Sequence, residues 1–311
     1  MNIDITEKDI KSLGQPSNTR PLLSIGLPFY NAEEYIQKAI TSILAQTYTN
    51  WELILINDGS TDESLLQVKK FTDPRITLIS DGENKGLSHR LNESVDLSNG
   101  EFYVRMDADD IMISNRLEIQ LQYMINHPEY HVIGAGAYII DNKDQVTGMR
   151  YGNPFDKHDF QSVLENGGFI HPSVFGRTAW FKTNPYDATA ERCEDIELWL
   201  RTVDHSHFGQ ITEPLLFYRE DGDQAVKVKK TSMGYIKILR KMLSTAKPEY
   251  RSSLRKKLMK SYVKIQIRRV AHALGLENRI VSARSQSVTQ IQRQAAEVKL
   301  QQALANTQAG G

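Results

Sequence analysis

The sequence predicts an α/β fold: a doubly wound, mixed and mainly parallel sheet flanked by helices, followed by a helical C-terminal extension. Two observations predict the sheet. Apolar runs of strand length alternate with helix-patterned segments through the first half of the chain, the arrangement of a parallel sheet covered on both faces. Several of these runs also end directly in loops rich in Asn, Asp and Gly. A third observation predicts the extension: from Thr231 onward apolar residues recur at helical spacing with Lys and Arg between them. The divisions expected are an N-terminal arm over 1–20, an α/β domain over 21–224 and a basic helical extension over 225–311.

The polar stretch Met1 to Arg20 lacks periodicity and reads as a loose arm. Leu22 to Leu27 is the first strand, closed by Pro28. Asn31 is placed to cap a helix over Ala32 to Gln46, with Glu33 and Glu34 in its first turn. Strands follow at Trp51 to Ile56, Ile76 to Ile79 and Phe102 to Met106, with a helix over Gly86 to Leu97 between the last two. A helix over Asn115 to Asn126, a strand region over His131 to Ile140, a short helix over Lys157 to Glu165, a strand over Ile170 to Phe175 and a strand over Leu215 to Arg219 complete the domain. Ligands of such sheets bind beyond the carboxyl ends of the strands. Pro28 to Asn31, Asn57 to Asp62 and Asp107 to Asp110 all follow strands, so the three loops are expected to open onto one crevice.

A chain of 311 residues with 40% hydrophobic and 24% charged residues can bury a full core. A single cysteine, Cys193, excludes an internal disulfide and a cysteine-based zinc site; it reads as a packed thiol. Met1 to Glu7 has neither a basic nor an apolar leader segment, and no run approaches the ~18 apolar residues of a membrane span, so a cytoplasmic location is expected. The formal net charge of +0 hides an asymmetry: fifteen Lys or Arg against the one acid Glu249 fall between Ala225 and Val270, leaving an acidic body.

The run Arg105-Met106-Asp107-Ala108-Asp109-Asp110 carries the clearest chemistry. Three carboxylates this close repel unless a cation neutralises them. Oxygen ligands without Cys or His in the run favour a hard ion, Mn2+ or Mg2+. The competing reading is an acidic turn in which Asp110 or Ser114 caps the next helix. Asp58 in Asn57-Asp58-Gly59-Ser60 is placed to accept from a ribose hydroxyl or a base N–H, or simply to form the turn. Neither a Gly-rich turn after the first strand nor a Gly-Lys-Ser/Thr motif is present, which weakens dinucleotide and P-loop readings.

Taken together, Pro28-Phe29-Tyr30-Asn31, Ile56 to Asp62, Asn84-Lys85-Gly86-Leu87 with Arg90 and Asn92, and Arg105 to Asp110 with Asn115-Arg116-Leu117-Glu118 resemble the family 2 inverting glycosyltransferases of the GT-A fold, of the bacterial surface-glycan type. The resemblance runs over about Pro21 to Gly222. It implies that Asp107, Ala108 and Asp109 form the family's Asp-X-Asp motif, with Arg105 beside it and Asp109 as the more direct metal ligand. It places Pro28, Tyr30, Asn31, Asp58, Asn84, Gly86 and Arg90 around a nucleotide-sugar donor, expected to be UDP-linked. Asn57 departs from the acid the family commonly carries there. Asp221 stands where many relatives have a metal-binding His, and an oxygen at this point suits Mn2+ or Mg2+.

Within the same resemblance Glu194-Asp195 is the catalytic pair, with Asp195 the general base and Glu194 positioning substrate or Asp195. On the residues alone, Glu194, Asp195 and Glu197 read equally as the acidic first turn of a helix. His171, before Pro172, and Trp199 fall on the acceptor side. The implied reaction is a single displacement onto a hydroxyl of a glycan or lipid-linked glycan, in polysaccharide, lipopolysaccharide or capsule synthesis. The alternatives are a nucleotidyltransferase, against which the first loop lacks the expected Gly-rich basic character, and a non-catalytic nucleotide- or sugar-binding module.

In the extension, Ile236, Leu239 and Leu243 share one helix face, as do Leu254, Leu258 and Tyr262, with Pro248 between the two helices. A basic amphipathic helix suits either a lid on the acidic body or peripheral contact with the inner face of a membrane. No nucleic-acid motif accompanies it. Ser282 to Gly311 reads as a frayed or self-associating helix, the one sign of a homo-oligomer, with a disordered end.

Overall fold

The computed structural model describes residues 20–152, 159–220, 224–273 and 286–305. The N-terminal arm, Asp221 and the final residues of the extension therefore lie outside the described residues. Strand β1 (Leu23–Phe29) is buried along its whole length, as a strand covered on both faces must be. It is followed by α1 (Ile36–Leu44), β2 (Trp51–Asn57), α2 (Ser64–Val68), β3 (Ile76–Ser80), α3 (Leu87–Asp96), β4 (Phe102–Arg105), β5 (Ile111–Met112) and α4 (Arg116–Asn126). Then come β6 (Val132–Ile140), β7 (Val146–Arg150), α5 (Phe160–Asn166), β8 (Phe175–Arg177), α6 (Thr178–Thr183), α7 (Glu194–Thr202), β9 (Phe208–Arg219), α8 (Gln224–Thr245), α9 (Pro248–Ala273) and α10 (Gln290–Leu304).

The strands form one sheet in the order β3-β2-β1-β4-β8-β6-β9-β5, with β7 paired to β6. The first four are mutually parallel, with Phe29 opposite Asn57 and Gly26 opposite Arg105. The other half is mixed: β8 runs antiparallel to both β4 and β6, while β9 is parallel to β6. The registers bring the ends of β1, β2 and β4 to one edge, as the loop pattern predicted. One apolar cluster packs α1 and α4 on one face; a second packs α3, α5, α6 and α7 with Leu239 and Leu254 of the extension on the other.

Two expected elements differ. Asn31 does not cap α1: it sits at φ +47°, and its side-chain oxygen accepts from Thr61 N at 2.8 Å, so the helix starts four residues later, at Ile36. His171 to Ser173 forms a 3-10 turn rather than strand, because Ser173 N bonds back to Ile170 O and the strand begins only at Phe175.

The segment read as a frayed or self-associating helix is not frayed: it docks on the body as an ordered helix. Thr289 and Gln292 close a capping box at its start. Ala296, Leu300 and Ala303, spaced for one helix face, are buried against Ile111, Ile113, Tyr138 and Phe217. Leu300→Ala is expected to cost about 2 kcal/mol in urea unfolding of the full chain. An unchanged transition would mean that the helix is only an appendage.

Candidate active site

The acidic run leaves β4 at the edge where the parallel strands end. Asp107, Asp109 and Asp110 offer one carboxylate oxygen each, all within 4.8 Å of one another. Arg105, almost wholly buried, donates to Asp107 Oδ2 at 2.7 Å and ties that carboxylate to the strand. Arg116, also buried, donates to the Arg105 carbonyl at 3.1 Å and secures the strand end.

Asp110, one of the three carboxylates of the run, was left out of the expected metal ligands, with a helix cap as its competing role. It is 1% exposed; its Oδ1 accepts from Arg219 N at 2.9 Å, while its Oδ2 is buried without a hydrogen-bond partner. Burial and the charges of Asp109 and Asp107 push its carboxyl well above the usual range. A buried orphan oxygen beside two further carboxylates fits a hard divalent cation, so the donor set present suits Mn2+ or Mg2+. The signal for Asp110 was its place in the run itself.

Arg219, at the end of β9, is a second residue the sequence reading passed over. Its guanidinium donates to Asp109 O at 2.9 Å and to Asp144 Oδ1 at 2.6 Å, also bonds Asp141 O, and stacks on Tyr35. It therefore braces the backbone of the acidic loop from the far side of the sheet order.

The second group of predicted residues gathers at the end of β2. Asp58 Oδ1 accepts from Lys85 N at 2.7 Å and Arg90 Nε at 2.9 Å, and Oδ2 from Gly86 N at 3.1 Å. Asn84 donates to the Asp58 carbonyl at 2.9 Å. Gly59 and Gly86 sit at φ +72° and +85°, which a side chain would strain, so the two facing turns depend on these glycines. Arg90 is fully buried, and its five N–H donors all find acceptors on Asp58, Asp81, Glu93 and the Glu83 carbonyl. It borders the pocket as a prop. Asn57 spends its amide on Ser60 N and Ser80 Oγ. Pro28 is buried in β1 opposite Ile56, and Tyr30 is 51% exposed at the rim.

The third group comes from the start of α7. Glu194 is nearly buried and Asp195 partly so. Burial and the charge of Asp195 push Glu194 up to about 7, and burial raises Asp195 as well, against the pull of Arg105. The charge of Asp107 adds a smaller upward push on both carboxyls. Asp195 Oδ1 accepts from Ile196 N at 2.7 Å. His171 Nε2 lies 3.0 Å from Tyr186 Oη, and burial together with Arg105 holds the imidazole well below its ordinary value, hence neutral. Asn92 clamps both backbone groups of Tyr186, at 2.9 and 2.8 Å, which places the tyrosine between α3 and the acid pair.

Trp199 does not join them. It is 0% exposed, edge-on to Phe169 at 5.0 Å and to Phe208 at 5.6 Å, with Trp180 stacked beside it. Its indole lies in the core instead of on a surface that an acceptor could reach.

A family model, Glycosyl transferase family 2, matches residues 24–183, which carry the acidic loop and the Asp58 turn. The chain belongs to glycosyl transferase family 2. Among curated relatives of this family 2 chain, the putative glycosyltransferase EpsE of Bacillus subtilis is 33% identical over 214 residues, covering 66% of this chain and 76% of the relative. The UDP-Glc:alpha-D-GlcNAc-diphosphoundecaprenol beta-1,3-glucosyltransferase WfgD of Escherichia coli is 34% identical over 191 residues, covering 61% and 73%. Solved structures agree on the fold: Staphylococcus aureus TarS 1-349 in complex with UDP-GlcNAc has a TM-score of 0.59 at 15% identity, covering 79% of this chain and 73% of that one. The mannosyltransferase PcManGT of Pyrobaculum calidifontis, in complex with GDP-Man and Mn2+, has a TM-score of 0.57 at 16% identity, covering 96% and 92%. The family model gives the family, and the solved structures share its GT-A fold.

Proposed function

We propose that this family 2 enzyme moves a hexosyl or N-acetylhexosaminyl unit from a UDP-linked donor to a hydroxyl of a glycan or lipid-linked glycan, with inversion and with a divalent metal. The observation that carries this reading is the raised carboxyl pair Glu194–Asp195 set against the Asp107–Asp109–Asp110 cluster. Inverting displacement needs a base on the acceptor side and charge neutralisation on the donor side, and these are two such groups. The donor and the lipid carrier follow the relative WfgD, whose own name gives UDP-Glc and a diphosphoundecaprenol acceptor.

Asp107, Asp109 and Asp110 would hold the ion, with Asp221 outside the described residues. A cation there supplies charge for the departing diphosphate. Asp58, Asn84 and Gly86 shape the wall for the nucleoside, Tyr30 and Asn31 form its rim, and Arg90 keeps that wall in place. Asp195 takes the acceptor hydroxyl's proton, and Glu194, which the Asp195 charge keeps protonated to about pH 7, positions the substrate beside it. His171 and Tyr186 line the acceptor side as a neutral pair.

The test is thermal unfolding with UDP, GDP and CDP, each with and without Mn2+ or Mg2+. At a hundred times its dissociation constant a ligand stabilises by about 2.7 kcal/mol. UDP is expected to do so only with metal, and Asp109→Asn to abolish the effect. If no nucleotide shifts the transition under any condition, the donor site assignment fails.

A further inference from the structure

The extension was expected to offer Leu254, Leu258 and Tyr262 as its apolar face, and that face is already taken. Leu254 is fully buried, Leu258 packs beside it, Tyr250 stacks on Phe160 at 4.1 Å and donates to Asp204, and Lys257 donates to the Glu165 carbonyl. Helix α9 is thereby anchored to the body along one side.

Its other side carries a second apolar stripe. Met259, Val263 and Ile267, one helical turn apart, are 71%, 53% and 58% exposed, and no described residue covers them. By helical geometry Arg251 and Arg255 flank the stripe on one edge, Lys260 and Lys264 on the other, and Lys256 lies at its N-terminal end; all five are exposed. No acid occurs between Tyr250 and Ile267.

We propose that this outer face of α9 docks on an anionic phospholipid surface. Apolar side chains in a row, bordered by cations on both edges, match the acyl boundary and the charged headgroups of such a surface. The same cations argue against a second copy of the chain, because two such faces would bring like charges together. The inference adds to the transferase reading without depending on it.

The test is flotation of the full 311-residue chain with vesicles of phosphatidylcholine alone or mixed with phosphatidylglycerol, at low and high salt. The mixed vesicles are expected to retain the protein, and salt to release it. Lys256→Ser with Lys260→Ser is expected to weaken retention about thirtyfold, at roughly fivefold per basic residue. Val263→Asp with Ile267→Asp is expected to weaken it at least about tenfold. Leu66→Asp, on α2 at an equally exposed apolar position, should leave it unchanged. All variants sit at exposed positions, and unaltered thermal transitions confirm that they fold.

Equal retention by both vesicle types, or retention insensitive to both α9 variants, overturns the proposal. So does a wild-type dimer that Val263→Asp with Ile267→Asp converts to monomer without any vesicle binding, which would make the stripe a self-interface. Capture by RNA in place of vesicles overturns it too. Neither donor nor acceptor enters this readout, so its failure leaves the transfer reading untouched, and the reverse holds.

Discussion

Asp195→Asn lowers glycosyl transfer by about 10²- to 10⁴-fold and leaves metal-dependent UDP stabilisation in place. The substitution keeps the shape and the oxygen that accepts from Ile196 N at 2.7 Å, but removes the only function a base needs. Turnover of labelled donor by the variant, alongside its thermal shift with UDP and metal, separates chemistry from binding. Retained transfer would remove Asp195 from the mechanism; lost UDP stabilisation would place it in the donor site. The same pair sets the sign of the pH dependence. Both carboxyls are raised, Glu194 to about 7, so each keeps its proton to a higher pH than a free acid does. A base must be unprotonated, so the rate rises with pH through the titration of Asp195. Glu194 keeps its proton while Asp195 gives its own up, so the rising limb belongs to Asp195 and Glu194→Gln leaves it in place.

Trp199→Ala lowers the free energy of unfolding by about 3–5 kcal/mol, measured by urea titration. The indole fills a space walled by Phe169, Phe208 and Trp180 that smaller side chains cannot refill. Trp199→Phe costs much less, since it retains an aromatic ring and removes the indole N–H, which is buried without a partner. Trp199 also sits one turn beyond Asp195 on α7, so the alanine variant loosens the helix that carries the acid pair. A stable Trp199→Ala with a raised acceptor KM would instead return Trp199 to the acceptor side.

This contrast shows what could be read from the chain. Strands such as Leu23–Phe29 and Trp51–Asn57 are local features: apolar runs closed by loop residues declare them, and their parallel order sends Asp58 and Asp107 to the same edge. The acidic cluster was legible for the same reason, because Asp107, Asp109 and Asp110 are neighbours in the chain. What stayed hidden depends on distant partners. Trp199 is defined by rings at 169, 180 and 208, and Arg219 by a carbonyl 110 residues away. Asn31 was misread as a cap because Thr61, thirty residues on, claims its side chain. The docking of α10 rests on Ala296 and Ala303, whose small side chains give little periodic signal until a partner surface is present.

The saturation of Arg90 constrains how this enzyme could change its donor. One cation links the Asp58 turn, the Asp81–Glu83 turn and Glu93 of α3, with no donor to spare. Replacing Asp58, Asp81 or Glu93 singly leaves a buried N–H of Arg90 without its acceptor, so drift or engineering at these positions has to move the group together. Tyr30, exposed at the rim, lies outside that knot and is free to vary alone, whereas Asn31, at φ +47° and bonded to Thr61, varies only together with that turn. A library aimed at new nucleotide preference should therefore vary the rim and import the Asp58–Arg90 block only as an intact cassette.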